Sequence, residues 1–213
     1  MTATTRKPWR RPPLASEPAS DPGRDIADAL TGHPAAPPRL LGIDGRSGSG
    51  KSWLAAKVSQ CLDQAGVRHS MVVMDDLYAG WDGLAGALPT LRAQVIDPLR
   101  DGEPAGYRRY DWQLEAFAEH VDVPAADVVV IEGVGSTCHQ SRDALALTVW
   151  VQAPARVRHQ RACARTGQGD FAAHARTWAH AENALFGPDE YPLPPDRFDL
   201  VVDTATHAEP SRG

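Results

Sequence analysis

The chain has 213 residues, the size of one ordinary α/β domain with a tail. Its net charge of −5 favours no nucleic-acid partner, because such proteins usually carry a strongly basic face. Its longest apolar runs, such as 128–131, are far shorter than the roughly 18 residues that cross a bilayer, so we expect no membrane span. The pair Arg10-Arg11 is followed by no apolar export segment, which favours a cytoplasmic location.

The first part of the chain differs in composition from the rest. Residues 1–22 are rich in Pro, Ala, Ser and Arg without apolar periodicity, which predicts a disordered basic tail. Ile26 and Leu30 lie four apart, so we predict a short helix within a linker at 23–38 that ends in a Pro-rich stretch. The folded domain is expected at 39–204, followed by a flexible tail at 205–213.

From residue 40 onward, short apolar runs alternate with helical patterns. The pattern predicts strands at 40–43, 71–74, 128–131, 147–151 and 198–202, and helices at 52–64, 88–99, near 156–165 and at 171–186. This order is typical of an α/β fold with a doubly wound, mostly parallel five-stranded sheet and helices on both faces. The arginine-bearing helix after the fourth strand resembles the helical lid of small-molecule kinases. Cys61, Cys138 and Cys163 are odd in number and widely spaced, which indicates reduced cysteines rather than disulfides or a zinc site.

The segment 45–52 matches the phosphate-binding pattern GxxxxGK followed by Ser or Thr. It comes directly after an apolar strand and directly before a helix, where this pattern cradles phosphates with backbone N–H groups and the helix N-terminus. The lysine is then expected to reach the β- and γ-phosphates of ATP, and the last serine to bind Mg²⁺. The residues are Gly45, Arg46, Ser47, Gly48, Ser49, Gly50, Lys51 and Ser52.

Two other strands end in carboxylates. Glu132 follows the apolar run 128–131, as in a strand whose acidic end orients Mg²⁺, so we predict Ser52 and Glu132 as the metal residues. Asp75 and Asp76 follow the second strand, at the sheet edge where open α/β folds bind ligands. We interpret Asp75 as a general base for an acceptor hydroxyl; the alternative is a turn cap, which applies more strongly to Asp76.

Arginines follow the fourth strand. Arg158, Arg161 and Arg165 share one helical face, and we interpret them as lid residues that close over ATP and the transferring phosphoryl group; Arg156 is a weaker candidate. The alternative is an ordinary solvated basic helix. We expect 167–169 to be the mobile tip, and in the following helix we interpret Trp178 and Phe186 as core residues and assign no chemistry.

The stretches IDGRSGSGKS, MDDLY, RRYDW and VVVIEG resemble, in this order and spacing, the uridine kinase and phosphoribulokinase branch of P-loop kinases. The resemblance covers about 40–203. It implies that Asp75 is the catalytic carboxylate, that Tyr78 lies near a nucleoside, and that Tyr110 and Trp112 contact the base. Where uridine kinases usually have Asp-His-Pro, this chain has Asp82-Gly83-Leu84, and Glu115 stands at the position of a usual histidine.

The acceptor half of the sequence leaves alternatives open. Tyr107, Tyr110 and Trp112 could instead pack a helical subdomain over the sheet, and Arg109 beside them could bind an anionic substrate or be a solvated charge. Asp82 and Arg109 are kept as candidate substrate contacts.

The leading hypothesis is an ATP- and Mg²⁺-dependent kinase of a small-molecule hydroxyl, with a nucleoside as the favoured acceptor. The alternatives are a kinase of a sugar, sugar phosphate, pantothenate-like compound or nucleoside monophosphate, and a P-loop ATPase or nucleotide sensor. A homo-oligomer is left open.

Overall fold

The computed structural model describes residues 21–164, 171–189, 191 and 197–205. The predicted tail up to residue 20, the lid candidate Arg165, the tip at 167–169 and the C-terminal tail after residue 205 lie outside this part of the chain. Within the described ranges, none of the helices combines the length and apolar character needed to span a membrane.

Seven strands and six helices follow one another in the described chain. In chain order they are α1 (Pro22–Thr31), β1 (Arg39–Asp44), α2 (Lys51–Gln64), β2 (His69–Val73), α3 (Leu84–Leu91), α4 (Asp97–Asp101), β3 (Ala105–Asp111), β4 (Ala116–Val123), β5 (Val128–Glu132), β6 (Leu147–Gln152), α5 (Ala155–Ala164), α6 (Phe171–Phe186) and β7 (Leu200–Asp203). A 3₁₀ turn, Met74–Asp76, follows β2, and a π-helical turn, Arg92–Ile96, joins α3 to α4.

The main sheet has five strands in the order β2-β5-β1-β6-β7, and every neighbouring pair is parallel. At its centre, Leu41 of β1 pairs with Val130 on one side and Leu147 on the other. Because the strands are parallel, their carboxyl ends meet at one edge, where ligands of such folds bind. The predicted α/β architecture and its five strands are confirmed.

The sheet is covered on both faces, as predicted. One core cluster joins it to α1 and α2, and the other joins it to α3, the π-helical turn, the β3–β4 hairpin and α6. β1 and β5 are buried almost throughout, which explains why they read as continuous apolar runs.

The first helix belongs to this core rather than to a linker. It begins at Pro22, where the Asp21 carboxylate accepts a hydrogen bond from the backbone N–H of Gly23 at 3.0 Å. Ile26 and Leu30 are both 0% exposed and pack in the cluster that contains α2. The ordered part of the domain therefore starts before Arg39, where the apolar pattern alone placed it.

A two-stranded antiparallel sheet, β3–β4, lies where no strand was predicted. Tyr107 pairs with Val121 and Tyr110 with Phe117, with an irregularity in register between Arg108 and Tyr110. The Asp111 carboxylate accepts the N–H groups of two turn residues, at 2.9 and 3.0 Å, which forms the turn between the strands. The aromatic residues of this region thus stand on a hairpin, not on the helical subdomain considered as an alternative.

Candidate active site

The loop between β1 and α2 takes a conformation that requires glycine. Gly48 and Gly50 have φ of 74° and 97°. A Cβ atom at Gly45 would lie 2.2 Å from the carbonyl oxygen of Val151, and one at Gly48 would lie 2.0 Å from that of Arg158. The loop is therefore held tightly between β6 and α5, with the N-terminus of α2 at its end.

The buried carboxylate of Asp44, which the sequence analysis missed, hydrogen-bonds to the start of this loop. Asp44 accepts hydrogen bonds from the backbone N–H groups of Gly45, at 2.7 Å, Gly135, at 2.9 Å, and Thr137, at 2.9 Å. Burial raises the pKa of Asp44, and these hydrogen bonds oppose that shift. Asp44 ties the end of β1 to the loop after β5; its sequence signal is a single acidic residue at the end of an apolar strand.

Several of the predicted residues line one cavity at the carboxyl edge of the sheet, among them Lys51, Ser52, Asp75 and Glu132. Asp75 follows β2, Glu132 ends the neighbouring strand β5, and Lys51 and Ser52 begin α2. The Ser52 hydroxyl donates to Oε1 of Glu132 at 3.0 Å, and the Lys51 ammonium donates to the carbonyl oxygen of Arg46 at 3.2 Å. A hydroxyl and a carboxylate oxygen at this distance are the hard ligands that Mg²⁺ accepts, so this pair fits the metal role predicted for it.

The two aspartates of the 3₁₀ turn have different surroundings. Asp75 lines the cavity, whereas the Asp76 carboxylate accepts a hydrogen bond from the Tyr107 hydroxyl at 3.2 Å. Burial raises the pKa of Asp76, and the hydrogen bond from Tyr107 partly opposes it. Burial, followed by the Asp76 charge, raises the pKa of Tyr107. Asp75 thus faces the site and Asp76 ties the turn to the hairpin.

Aromatic rings form much of the cavity wall. The aromatic residues that line it are Tyr78, Trp81, Trp112, Phe171 and Trp178. Trp81 contacts three of the others edge to face, with ring centroids 5.0 Å from Trp112, 5.9 Å from Phe171 and 5.9 Å from Trp178. The sequence analysis missed Trp81, and it treated Trp178 as core alone, although this buried residue also lines the cavity.

The predicted acceptor residues fall into two groups. Trp112 lines the cavity and donates from Nε1 to the carbonyl oxygen of Asp75 at 3.0 Å, and Tyr78 lines it while its hydroxyl donates to the carbonyl oxygen of Val134 at 2.8 Å. Tyr110 is not among the residues that line the cavity; it packs edge to face on Trp112, with the ring centroids 5.6 Å apart.

Arg109 and Asp82 are not among the residues that line the cavity. Arg109 pairs with Glu119 at 2.6 Å and with Asp111 at 3.1 Å on the hairpin. Asp82 is exposed in the segment before α3. The structure therefore does not bring these two candidates to the acceptor side of the site.

The predicted lid arginines contact the surroundings of the P-loop. Arg158 is buried, forms an ion pair with Asp189 and donates to the carbonyl oxygen of Ala153 at 3.0 Å. Arg161 donates to the side-chain and backbone oxygens of Thr204 at 3.0 and 2.9 Å, and the Thr204 hydroxyl donates to the carbonyl oxygen of Ser49 at 2.6 Å. Arg165 lies outside the described residues.

A second network joins the P-loop to α6, a helix to which the sequence analysis gave no chemistry. Glu182 accepts the backbone N–H of Ser47 at 2.6 Å. Arg46 donates to the side-chain oxygen of Asn183 at 2.9 Å and lies 3.6 Å from the Glu182 carboxylate and 3.3 Å from that of Asp189. The hydrogen bonds join residues that are more than 130 positions apart in the chain, so no local sequence pattern predicts them.

Solved structures that resemble this chain include kinases. A possible uridine kinase from Bacillus stearothermophilus superposes with a TM-score of 0.59 at 21% identity, over 85% of this chain and 97% of that one. This chain shares the α/β fold of that structure. The D-glycerate 3-kinase from Cryptococcus neoformans var. grubii shares it with a TM-score of 0.55 at 17% identity, over 87% of this chain and 96% of that one. No protein-family model and no curated protein matches the sequence.

Proposed function

We propose that this protein is an ATP-dependent kinase that transfers the γ-phosphoryl group of Mg-ATP to a hydroxyl of a small molecule, with a nucleoside as the favoured acceptor. The observation that carries the proposal is the shared cavity of Lys51, Ser52, Glu132 and Asp75. The first three are the residue types that hold a nucleotide phosphate and its metal, and the fourth is a base on the same cavity. A pure nucleotide sensor needs no such base.

The roles divide between the two sides of the cavity. Lys51 and the P-loop N–H groups bind the β- and γ-phosphates, and Ser52 with Glu132 holds Mg²⁺. The metal, when bound, neutralises charge on the phosphate oxygens. Asp75 takes the proton of the acceptor hydroxyl; the hydroxyl oxygen bonds to the γ-phosphorus as the bond to the bridging oxygen breaks, and ADP leaves. We also propose that Arg158, Arg161 and Arg165 neutralise charge in this step.

The cavity wall supports an uncharged acceptor with a flat ring. Among the described residues that line the cavity, Lys51 is the sole basic side chain, and the nucleotide phosphates occupy it in this scheme. A sugar phosphate or nucleoside monophosphate would therefore bring its phosphate to a wall without a further cation. Trp81, Trp112 and Trp178 instead line the cavity with aromatic rings, which can contact a base.

An ATP-consumption screen tests the proposal. Nucleosides, nucleoside monophosphates, sugars and sugar phosphates are compared with an acceptor-free reaction, and Lys51→Ala is the matched control for contaminating kinases. We expect turnover with at least one nucleoside, and loss of both ATP binding and turnover in Lys51→Ala. Equal ATP consumption without any acceptor would favour an ATPase, and turnover confined to phosphorylated acceptors would contradict the proposed acceptor class.

A further inference from the structure

One carboxylate on α6 contacts both sides of the cavity. Oε1 of Glu182 accepts the backbone N–H of Ser47 at 2.6 Å and the indole N–H of Trp178 at 3.1 Å. Ser47 belongs to the P-loop, Trp178 belongs to the aromatic wall, and both line the cavity. A single oxygen atom therefore joins the phosphate side to the acceptor side.

Glu182 is held in place by its surroundings. It is 3% exposed, and its second oxygen lies 3.6 Å from the Arg46 guanidinium. Arg46 is itself fixed by hydrogen bonds to Asn183, at 2.9 Å, and to the carbonyl oxygen of Gly187, at 2.6 Å. A buried carboxylate is stable when it is paired and hydrogen-bonded in this way, and such a network has a defined geometry.

Trp178 in turn packs against two other aromatic residues of the cavity wall. Its ring lies edge to face with Tyr78, at a centroid distance of 5.0 Å, and with Trp81, at 5.9 Å. A displacement of the Trp178 ring would therefore reach the rings that an acceptor contacts, because protein interiors are packed too closely to absorb it locally.

We infer that Glu182 is a positioning residue that couples the phosphate cradle to the acceptor wall. The inference rests on the proposed nucleotide site. A phosphate that binds in the P-loop changes the hydrogen bond between the Ser47 N–H and Oε1 of Glu182. The hydrogen bond from Trp178 to the same oxygen then changes, and the Trp178 ring shifts in the cavity wall. The coupling is reciprocal: an acceptor that fixes the position of the Trp178 ring changes the affinity for the nucleotide by the same factor as the nucleotide changes the affinity for the acceptor.

Nuclear magnetic resonance of the indole N–H groups tests the coupling with Mg-ADP as the probe. The chain has six tryptophans, and Trp178→Phe assigns the Trp178 signal by its loss. Trp112 is the internal control, because its indole N–H donates to the carbonyl oxygen of Asp75 and does not contact Glu182 in the described structure. The backbone N–H signal of Ser47 reports whether the nucleotide reaches the cradle.

Two substitutions of Glu182 separate the effect of its hydrogen-bonding oxygen from the effect of its side-chain volume. Glu182→Gln keeps an acceptor oxygen at the end of the side chain, whereas Glu182→Met has a similar length and no such acceptor. We expect Mg-ADP to shift the Trp178 signal in the wild type and in Glu182→Gln, and this response to be lost in Glu182→Met while Ser47 still responds.

The possible results are distinguishable. A Trp178 signal that stays in place in the wild type while Ser47 moves would overturn the coupling and leave the nucleotide site intact; this arm needs no variant to fold. An unchanged Trp178 response in Glu182→Met would also overturn it. If Mg-ADP moves no signal at all, the proposed nucleotide site and the coupling both fall.

Discussion

The indole N–H of Trp112 donates to the backbone carbonyl oxygen of Asp75 at 3.0 Å. On β3, the Tyr107 hydroxyl donates to the Asp76 carboxylate at 3.2 Å. The β3–β4 hairpin is therefore tied at two points to the 3₁₀ turn that carries the proposed base. Because Trp112 also lines the cavity, this hairpin fixes the position of the Trp112 ring relative to the proposed base, Asp75.

The first prediction separates the two aspartates of this turn. Asp75→Asn keeps the shape of the side chain and removes its basic oxygen, so we expect turnover to fall by about 10²–10⁴-fold with little change in Mg-ATP affinity. Asp76→Asn retains a carbonyl oxygen for Tyr107, and it should cost much less. Steady-state kinetics of both variants measures the difference. A nearly wild-type Asp75→Asn with an inactive Asp76→Asn would move the base by one residue.

The second prediction concerns the pH dependence of stability. Burial raises the pKa of Asp76 in the folded protein, so the folded state binds this proton more tightly than the unfolded chain does. The stabilisation is complete below the unfolded pKa, at about 4, and it is lost as the pH rises through the folded pKa. Asp76→Asn cannot ionise, so its unfolding free energy should gain on that of the wild type as the pH rises from the unfolded pKa through the folded pKa.

Urea denaturation at several pH values measures this difference. Asp101→Asn, at an exposed position on α4, is the control for the loss of one negative charge. Parallel pH curves for the wild type and Asp76→Asn would contradict the assignment of the shift to Asp76.

The third prediction separates two roles of Arg161. Thr204→Val removes the hydroxyl that accepts from Arg161 and donates to the carbonyl oxygen of Ser49, so it should raise the KM for ATP by loosening the P-loop. Arg161→Ala should do the same and also lower kcat by about 10²–10³-fold, if its charge stabilises the transferring phosphoryl group. Equal kcat values in the two variants would leave Arg161 as a support of the loop.

The fourth prediction concerns the aromatic wall. Trp81→Ala removes the ring that contacts Trp112, Phe171 and Trp178, and stacking on an aromatic side chain is worth about 1–3 kcal/mol per base. We therefore expect kcat/KM for the best nucleoside to fall by about 5- to 150-fold, with the KM for ATP unchanged. Leu114→Ala is the matched control, since Leu114 is 73% exposed at the hairpin turn. A similar loss in both variants would argue against a wall contact.

The fifth prediction concerns α1. Ile26 is 0% exposed, and its truncation to Ala should lower the free energy of unfolding by about 2–5 kcal/mol, as is usual for a large apolar core residue. Asp28→Ala on the exposed face of the same helix should have little effect. Both are measured by urea denaturation. A negligible cost for Ile26→Ala would mean that the helix contributes little to the core.

The sequence by itself determined the elements whose signals are local. The glycine pattern of 45–52 between an apolar strand and a helix indicates the P-loop, because the backbone conformation and the N–H groups that bind phosphate belong to consecutive residues. The three inner strands of the main sheet, β5, β1 and β6, were predictable because strands buried on both faces are continuous apolar runs. From that topology, the ends of β2 and β5 had to meet at one edge, which places Asp75 and Glu132 on the same cavity.

The tertiary structure decided the contacts between distant segments. The β3–β4 hairpin was missed because its aromatic residues alternate irregularly and two strands of this kind derive their stability from packing on the rest of the domain. The partners of Glu182 are 135 residues away at Ser47 and four away at Trp178, so no sequence window contains both. The sequence analysis made no prediction for Trp81, and it interpreted Trp178 as a core residue and Arg161 as a solvated or lid residue. Their roles depend on which rings and oxygens the fold brings within a few ångströms, a property of long-range packing that local propensity does not encode.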